Sequence, residues 1–152
     1  MKILIVEDDF DKRDRITDFL LESLGNDTVI NQASSLRSGL KEIVLGNGFD
    51  ILLLDMSLPS FDITPEEPGG GTPESFAGKE LMAQMKLRSI SIPVIIITQY
   101  TSFEHGRITL NELRQEFSSS FSEFFIGAVY YSSAIESWKG ELIRLLETLK
   151  KR

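Results

Sequence analysis

Ile51-Leu52-Leu53-Leu54-Asp55 decides how this chain is read. Four branched apolar residues run without a polar interruption and end in a carboxylate. Met56-Ser57-Leu58-Pro59 follows. An unbroken apolar run of this length fits a strand buried on both faces, because one-sided burial would leave every second residue polar. Such a strand delivers its terminal acid to the edge of a sheet, and in open α/β sheets ligands bind at that edge.

The same pattern appears at the start of the chain, where Lys2-Ile3-Leu4-Ile5-Val6 is closed by Glu7-Asp8-Asp9. A helical pattern follows through Leu24, with Phe10, Ile16, Phe19, Leu20 and Leu24 on or near one face. Asp9 or Asp11 is suited to cap its start, and Gly25 to end it. Thr28-Val29-Ile30-Asn31 predicts a short second strand. A second helix then opens at Ser34 or Ser35, with Leu36, Leu40, Ile43 and Val44 spaced for one face, and Phe49 to Asp55 is the third strand.

Beyond Pro59 the composition changes. Residues 60 to 77 carry Pro65, Pro68, Gly69, Gly70, Gly71 and Pro73, a loop composition inserted into an otherwise regular alternation. Lys79 to Arg88 predicts a third helix and Ile92 to Ile97 a fourth strand, with Thr98 at its C-terminal end. Thr101 to Ser122 reads as one long or broken helix, Phe125 to Ser132 as a fifth strand. Ile135 to Lys150 is the last helix, with Ile135, Trp138, Leu142, Leu145 and Leu149 as its apolar stripe. Alternating strands and helices predict a single α/β domain over residues 1–152. Its expected core is a doubly wound, five-stranded parallel sheet of flavodoxin-like order 2-1-3-4-5, with helices on both faces.

Composition narrows the function. The chain has 152 residues, 41% of them hydrophobic, and a formal net charge of −7. That charge argues against direct nucleic-acid binding, which needs a basic surface to meet phosphates. No apolar run approaches a membrane span, and no signal-peptide pattern opens the chain. Without cysteine there is no thiolate nucleophile and no disulfide framework. A cytoplasmic protein is expected. The one histidine, His105, stands in a polar stretch and reads as a surface residue.

The 2-1-3-4-5 order places the first and third strands side by side, so Glu7 and Asp8 converge on Asp55. Acids at strand ends also serve as caps and turn formers, and any one of these alone would fit that role. Three together repel unless a proton or a cation intervenes. Hard oxygen ligands with room for water suit Mg²⁺. A carboxylate in such a site can attack a phosphoryl group, and Thr98 is placed to hydrogen-bond a phosphoryl oxygen.

Taken in order, these segments resemble the receiver domain of two-component response regulators. Ile3 to Asp9 resembles the family's first strand with its acidic pair, and Leu54 to Pro59 its phosphoacceptor strand and loop. Gly78-Lys79-Glu80-Leu81 resembles the entry to helix three, and Ile92 to Thr98 strand four with its hydroxyl. Gly127-Ala128 followed by Tyr131 resembles the turn and switch aromatic of strand five. The resemblance implies Asp55 as phosphoacceptor, with Mg²⁺ held by Asp8, Asp55, Glu7 and the main-chain carbonyl of Ser57. Thr98 would sense the phosphoryl group and Tyr131 would respond to it. A sensor histidine kinase or phosphotransfer protein is the implied donor. A downstream protein is the implied partner on the surface of helix four, strand five and helix five, and a homodimer is compatible with it. Catalysis would go no further than self-phosphorylation and autodephosphorylation.

One departure stands out. The family carries a lysine and then a proline shortly after strand five. Counted from Gly127-Ala128, that lysine falls at Ser133 or Ala134, and the nearest lysine, Lys139, lies past it. The receiver is therefore expected to be atypical, and a pseudo-receiver that binds partners without phosphorylation is the alternative. An independent enzyme fits less well. Ser57 stands where an aspartyl-phosphate phosphatase often places its second acid, and no Walker-type loop is present.

Overall fold

In the computed structural model the described residues are 1–46, 48–60, 62, 76–103 and 106–150. The main sheet contains β1 (Lys2–Val6), β2 (Val29–Ala33), β3 (Ile51–Leu54), β4 (Val94–Thr98) and β7 (Phe125–Tyr130). Its order is β2-β1-β3-β4-β7 and every pairing is parallel. This is the flavodoxin-like order, with β7 as its fifth strand. The segment Thr101 to Ser122, expected to be one long or broken helix, instead begins with a small antiparallel pair, β5 (Ser102–Phe103) and β6 (Ile108–Thr109). The expected surface position of His105, and most of the expected loop between Ser60 and Ala77, lie outside the described residues.

The helices are α1 (Phe10–Leu24), α2 (Leu36–Val44), α3 (Ala77–Leu87), α4 (Leu110–Ser120) and α5 (Ser137–Lys150). Strand side chains alternate between two cores. Leu4, Val6, Leu52, Leu54, Val94 and Ile96 face α2, α3 and α4, burying Ile43, Leu81, Met85, Leu113 and Phe117. Ile3, Ile5, Ile51, Leu53, Ile95 and Ile97 face α1 and α5, burying Ile16, Leu20, Trp138 and Leu142. The all-apolar β3 is explained by this arrangement, since each of its residues has a helix layer above or below it. Among the described residues no helix is long and apolar enough to cross a membrane.

Local chemistry sets the element ends. Asp9 caps α1 by accepting the Lys12 main-chain N–H at 3.2 Å. Gly25 ends that helix at φ 91°, a left-handed conformation that favours glycine. Ser35 caps α2 in a box with Ser38, and Thr109 caps α4 in a box with Glu112. Three expected stripe residues fall elsewhere. Phe10 is 63% exposed, Val44 at the end of α2 is 49% exposed and Ile135, preceding the first turn of α5, is 64% exposed. On α1 the buried stripe is Lys12, Ile16 and Leu20, four residues apart, so a lysine takes the place assigned to an apolar residue.

Candidate phosphoacceptor site

The register of β1 against β3 pairs Val6 with Leu54, and this places the next residues, Glu7 and Asp55, side by side. The Asp55 N–H donates to the Val6 carbonyl at 3.1 Å, and the Glu7 N–H to the Ala33 carbonyl at 2.9 Å. Each acid thus leaves its strand still tied to the neighbouring one. Glu7 and Asp55 are buried and Asp8 is exposed. Carboxylate oxygens of all three lie within 4.8 Å of one another.

The sequence reading of three unneutralised acids omitted their counter-charge. Lys12 reaches into the cluster from the first turn of α1, with a side chain 1% exposed. Its Nζ lies 2.5 Å from Glu7 Oε1 and 3.3 Å from Asp55 Oδ1, and it donates to the Ile97 carbonyl at 2.8 Å. An ammonium has three donors, and these three oxygens account for them. Glu7 also supports the helix that carries Lys12, because its Oε2 accepts the Asp9 N–H at 3.2 Å. Lys12 belonged to the buried stripe of a helix, and that position was the available signal.

The electrostatics follow from this burial. Desolvation lifts the Glu7 carboxyl to about 8, against the pull of Lys12 and with the Asp55 charge adding to the rise. Burial raises Asp55 as well, again against Lys12. For Lys12 burial works downward, but the charges of Asp55 and Glu7 outweigh it and hold the ammonium above its ordinary value.

The remaining residues line the same sheet edge. Met56 N–H donates to Asp55 Oδ1 at 2.8 Å and sets the carboxylate's orientation. Ser57 lies half-buried in the loop that follows. At the N-terminus of α3, Gly78 N–H donates to the Met56 carbonyl at 3.0 Å. A Cβ on Gly78 would stand 2.7 Å from the Asp55 carbonyl oxygen, so only glycine fits this approach.

Thr98 is fully buried at the end of β4, and its Oγ1 accepts the Tyr100 N–H at 3.2 Å. Its carbonyl accepts the Tyr131 N–H at 2.7 Å. The Tyr131 ring belongs to the core beneath α1 and α5, with its centroid 5.1 Å from that of Trp138 and 5.7 Å from Lys12 Nζ. Its hydroxyl is buried without a hydrogen-bond partner.

Gly127 and Ala128 do not form a turn. They pair with Ile95 and Ile96 inside β7, within the run expected as the fifth strand, and the residues after Tyr131 include no lysine before Lys139. Lys139 serves elsewhere, pairing with Glu136 at 2.9 Å beside the rings of Phe19 and Trp138.

The donor set fits Mg²⁺. Three carboxylates supply hard oxygens, and the exposed Asp8 leaves that side open to the water shell the ion keeps.

No family model matches the chain. Among curated proteins, it is 31% identical over 151 residues to the Detocs response regulatory protein DtcB of Enterobacter cloacae, covering 98% of this chain and 100% of that protein. It is 26% identical to the protein of the same name from Vibrio alginolyticus, covering 96% and 99% of the two chains. Among solved structures, it is similar to the N-terminal domain of a response regulator/sensory box/GGDEF protein from Carboxydothermus hydrogenoformans. There the TM-score is 0.65 at 20% identity, covering 98% and 93% of the two chains, and the likeness is one of fold. Full-length similarity to a response regulatory protein, together with this sheet order and an acid cluster at its switch point, shows that the chain belongs to the response-regulator receiver family of two-component signalling.

Proposed function

We propose that the protein accepts a phosphoryl group on Asp55 and passes its state to a partner protein. The observation that carries this reading is the placement of Asp55. It is a buried carboxylate at the switch point, beside two further acids and a buried ammonium. Glu7, Asp8, Asp55 and the Ser57 main-chain carbonyl would hold Mg²⁺. When bound, the ion offsets the charge that otherwise keeps a carboxylate and a phosphoryl group apart. The Met56 N–H orients the attacking carboxylate. Thr98 is the hydroxyl for a phosphoryl oxygen, and Tyr131 is the aromatic that answers to it.

The whole chain acts as one receiver unit in the cytoplasm, with its Pro/Gly-rich segment at 60–77 as an insertion. It turns over no separate substrate. A sensor histidine kinase or phosphotransfer protein is the donor. The surface of α4, β7 and α5 receives the downstream protein. There Arg114 Nε and Nη2 donate to the Ala128 carbonyl at 3.1 and 2.9 Å and cover the exposed edge of β7.

Incubation with Mg²⁺ and acetyl phosphate, followed by intact-mass measurement, tests the reading. A phosphate adduct on the wild type that disappears in Asp55→Asn is expected. No adduct on the wild type would leave the phosphorylation-independent interaction module as the function.

A further inference from the structure

The Lys12 ammonium has three partners of unequal kind. The Ile97 carbonyl is neutral, while Glu7 and Asp55 are acids. A buried ammonium keeps its charge only while anions compensate it, because removing one partner leaves an expensive unpaired charge. The acceptor chemistry removes one. As an Asp55 oxygen bonds to phosphorus, the bond from phosphorus to the acetyl oxygen of acetyl phosphate breaks, and its electron pair leaves with acetate. No proton moves. The Asp55 carboxylate has then become a neutral acyl group, and its charge has moved outward onto the phosphoryl oxygens.

We propose that Lys12 is the phosphoryl-binding cation of this site, moving its contact from Asp55 Oδ1 to a phosphoryl oxygen when Asp55 is modified. This rests on the reading of Asp55 as acceptor. Three features support the assignment. The ammonium is 3.3 Å from the carboxylate that would carry the group. The position expected to supply a cation after the last strand holds Ser133 and Ala134, neither of them charged. The residue after β7 is Tyr131, and its ring lies beneath Lys12.

The same contacts give the movement an outlet. Lys12 is bonded to the Ile97 carbonyl, and the next carbonyl along, that of Thr98, holds the Tyr131 N–H. Tyr131 in turn packs on Trp138 of α5. A shift of the ammonium therefore acts directly on the end of β4 and on the ring between α1 and α5. In this chain the cation comes from the first helix and the aromatic follows the last strand of the sheet.

The main readout is Lys12 in the wild-type protein, so it does not rest on the activity of a variant. Side-chain ¹⁵N NMR of lysine-labelled protein, with Lys12→Arg used only for assignment, follows Nζ first with Mg²⁺ alone and then with Mg²⁺ and beryllofluoride. The Lys12 signal is expected to shift on adding beryllofluoride, beyond any change caused by Mg²⁺. In parallel, Lys12→Met is expected to form the acetyl phosphate adduct at least tenfold more slowly than the wild type. An Nζ signal that stays put while the Asp55 amide moves would overturn the inference. So would a Lys12→Met protein that gains and loses the adduct at wild-type rates. If the wild type takes up neither phosphate nor beryllofluoride, the acceptor reading of Asp55 fails, and the role of Lys12 fails with it.

Discussion

Lys12 Nζ stands 3.3 Å from Asp55 Oδ1, which joins the first helix of the chain to the end of its third strand through one buried ion pair. The same ammonium contacts Glu7 Oε1 at 2.5 Å, so the acids of two neighbouring strands share one cation. The site is therefore pre-assembled around a charge drawn from α1, and the consequences are measurable at each of its members.

Gly78→Ala should distort the loop after β3. The added Cβ would meet the Asp55 carbonyl at 2.7 Å and Met56 Cα at 3.1 Å, both of them backbone. The loop has to give way, at a cost of about 1–3 kcal/mol. Urea denaturation should show that loss, and the rate of adduct formation should fall with it. A Gly78→Ala protein with wild-type stability and rate would mean that the loop after β3 is more pliable than its contacts imply.

Metal-free stability should depend on pH through Glu7. The folded carboxyl ionises at about 8, whereas the unfolded one ionises near its ordinary 4.5. Between these values the folded state holds a proton that the unfolded state has released. Stability is then greatest at the acid end and falls as pH rises from about 4.5 to about 8, by roughly a few kcal/mol in all. Asp55, raised by burial, adds a fall of the same sign. Urea midpoints across this range should flatten in Glu7→Gln. An unchanged slope in that variant would place the titration on another group.

The Asp9 cap should matter twice over. Asp9 accepts the Lys12 main-chain N–H, and its own N–H is held by Glu7. Asp9→Ala should cost about 1 kcal/mol of stability, the usual value of an N-cap. It should also slow phosphoryl uptake, because the turn that presents Lys12 is loosened. Equal slowing in Ser35→Ala, which uncaps a helix carrying none of the cluster's acids or Lys12, would show that the effect is only one of stability.

Tyr131 gives a spectroscopic readout. Its hydroxyl is buried without a partner, so Tyr131→Phe should leave stability unchanged or raise it by about 1 kcal/mol. The ring itself should remain informative. Beryllofluoride with Mg²⁺ should change the fluorescence of the single tryptophan, Trp138, through the Lys12–Tyr131–Trp138 stack. The change should be lost in Lys12→Met. Persistence of the full change without the ammonium would route the signal elsewhere.

Much of the fold could be read from the sequence because its strands are chemically simple. Ile51 to Leu54 had to be covered on both faces, and the alternation of strands with helices left few topologies. The convergence of Glu7, Asp8 and Asp55 followed from the sheet order. Lys12 did not, because a lysine in a helix defaults to solvent, and the exposed Phe10 was the more obvious apolar residue in that turn. The informative pattern was the Lys12, Ile16, Leu20 spacing, in which a charged residue continues the buried stripe. Gly127-Ala128 fell inside the run expected as the fifth strand, and its place there has a packing reason, since a Cβ on Gly127 would stand 3.0 Å from Leu145 of α5 and its small size serves helix-on-sheet packing. The short β5–β6 pair was hidden by the apolar spacing that continues from Leu110 into α4.

Asp55 is proposed as the residue that carries the phosphoryl group. Treating the wild-type protein with Mg²⁺ and acetyl phosphate, reducing the acyl phosphate with borohydride and mapping the peptides locates the modified carboxyl directly. Reduction at position 55, dependent on Mg²⁺ and absent from untreated protein, is expected. Reduction at Asp8 or Glu7 instead, or at no carboxyl, would contradict it.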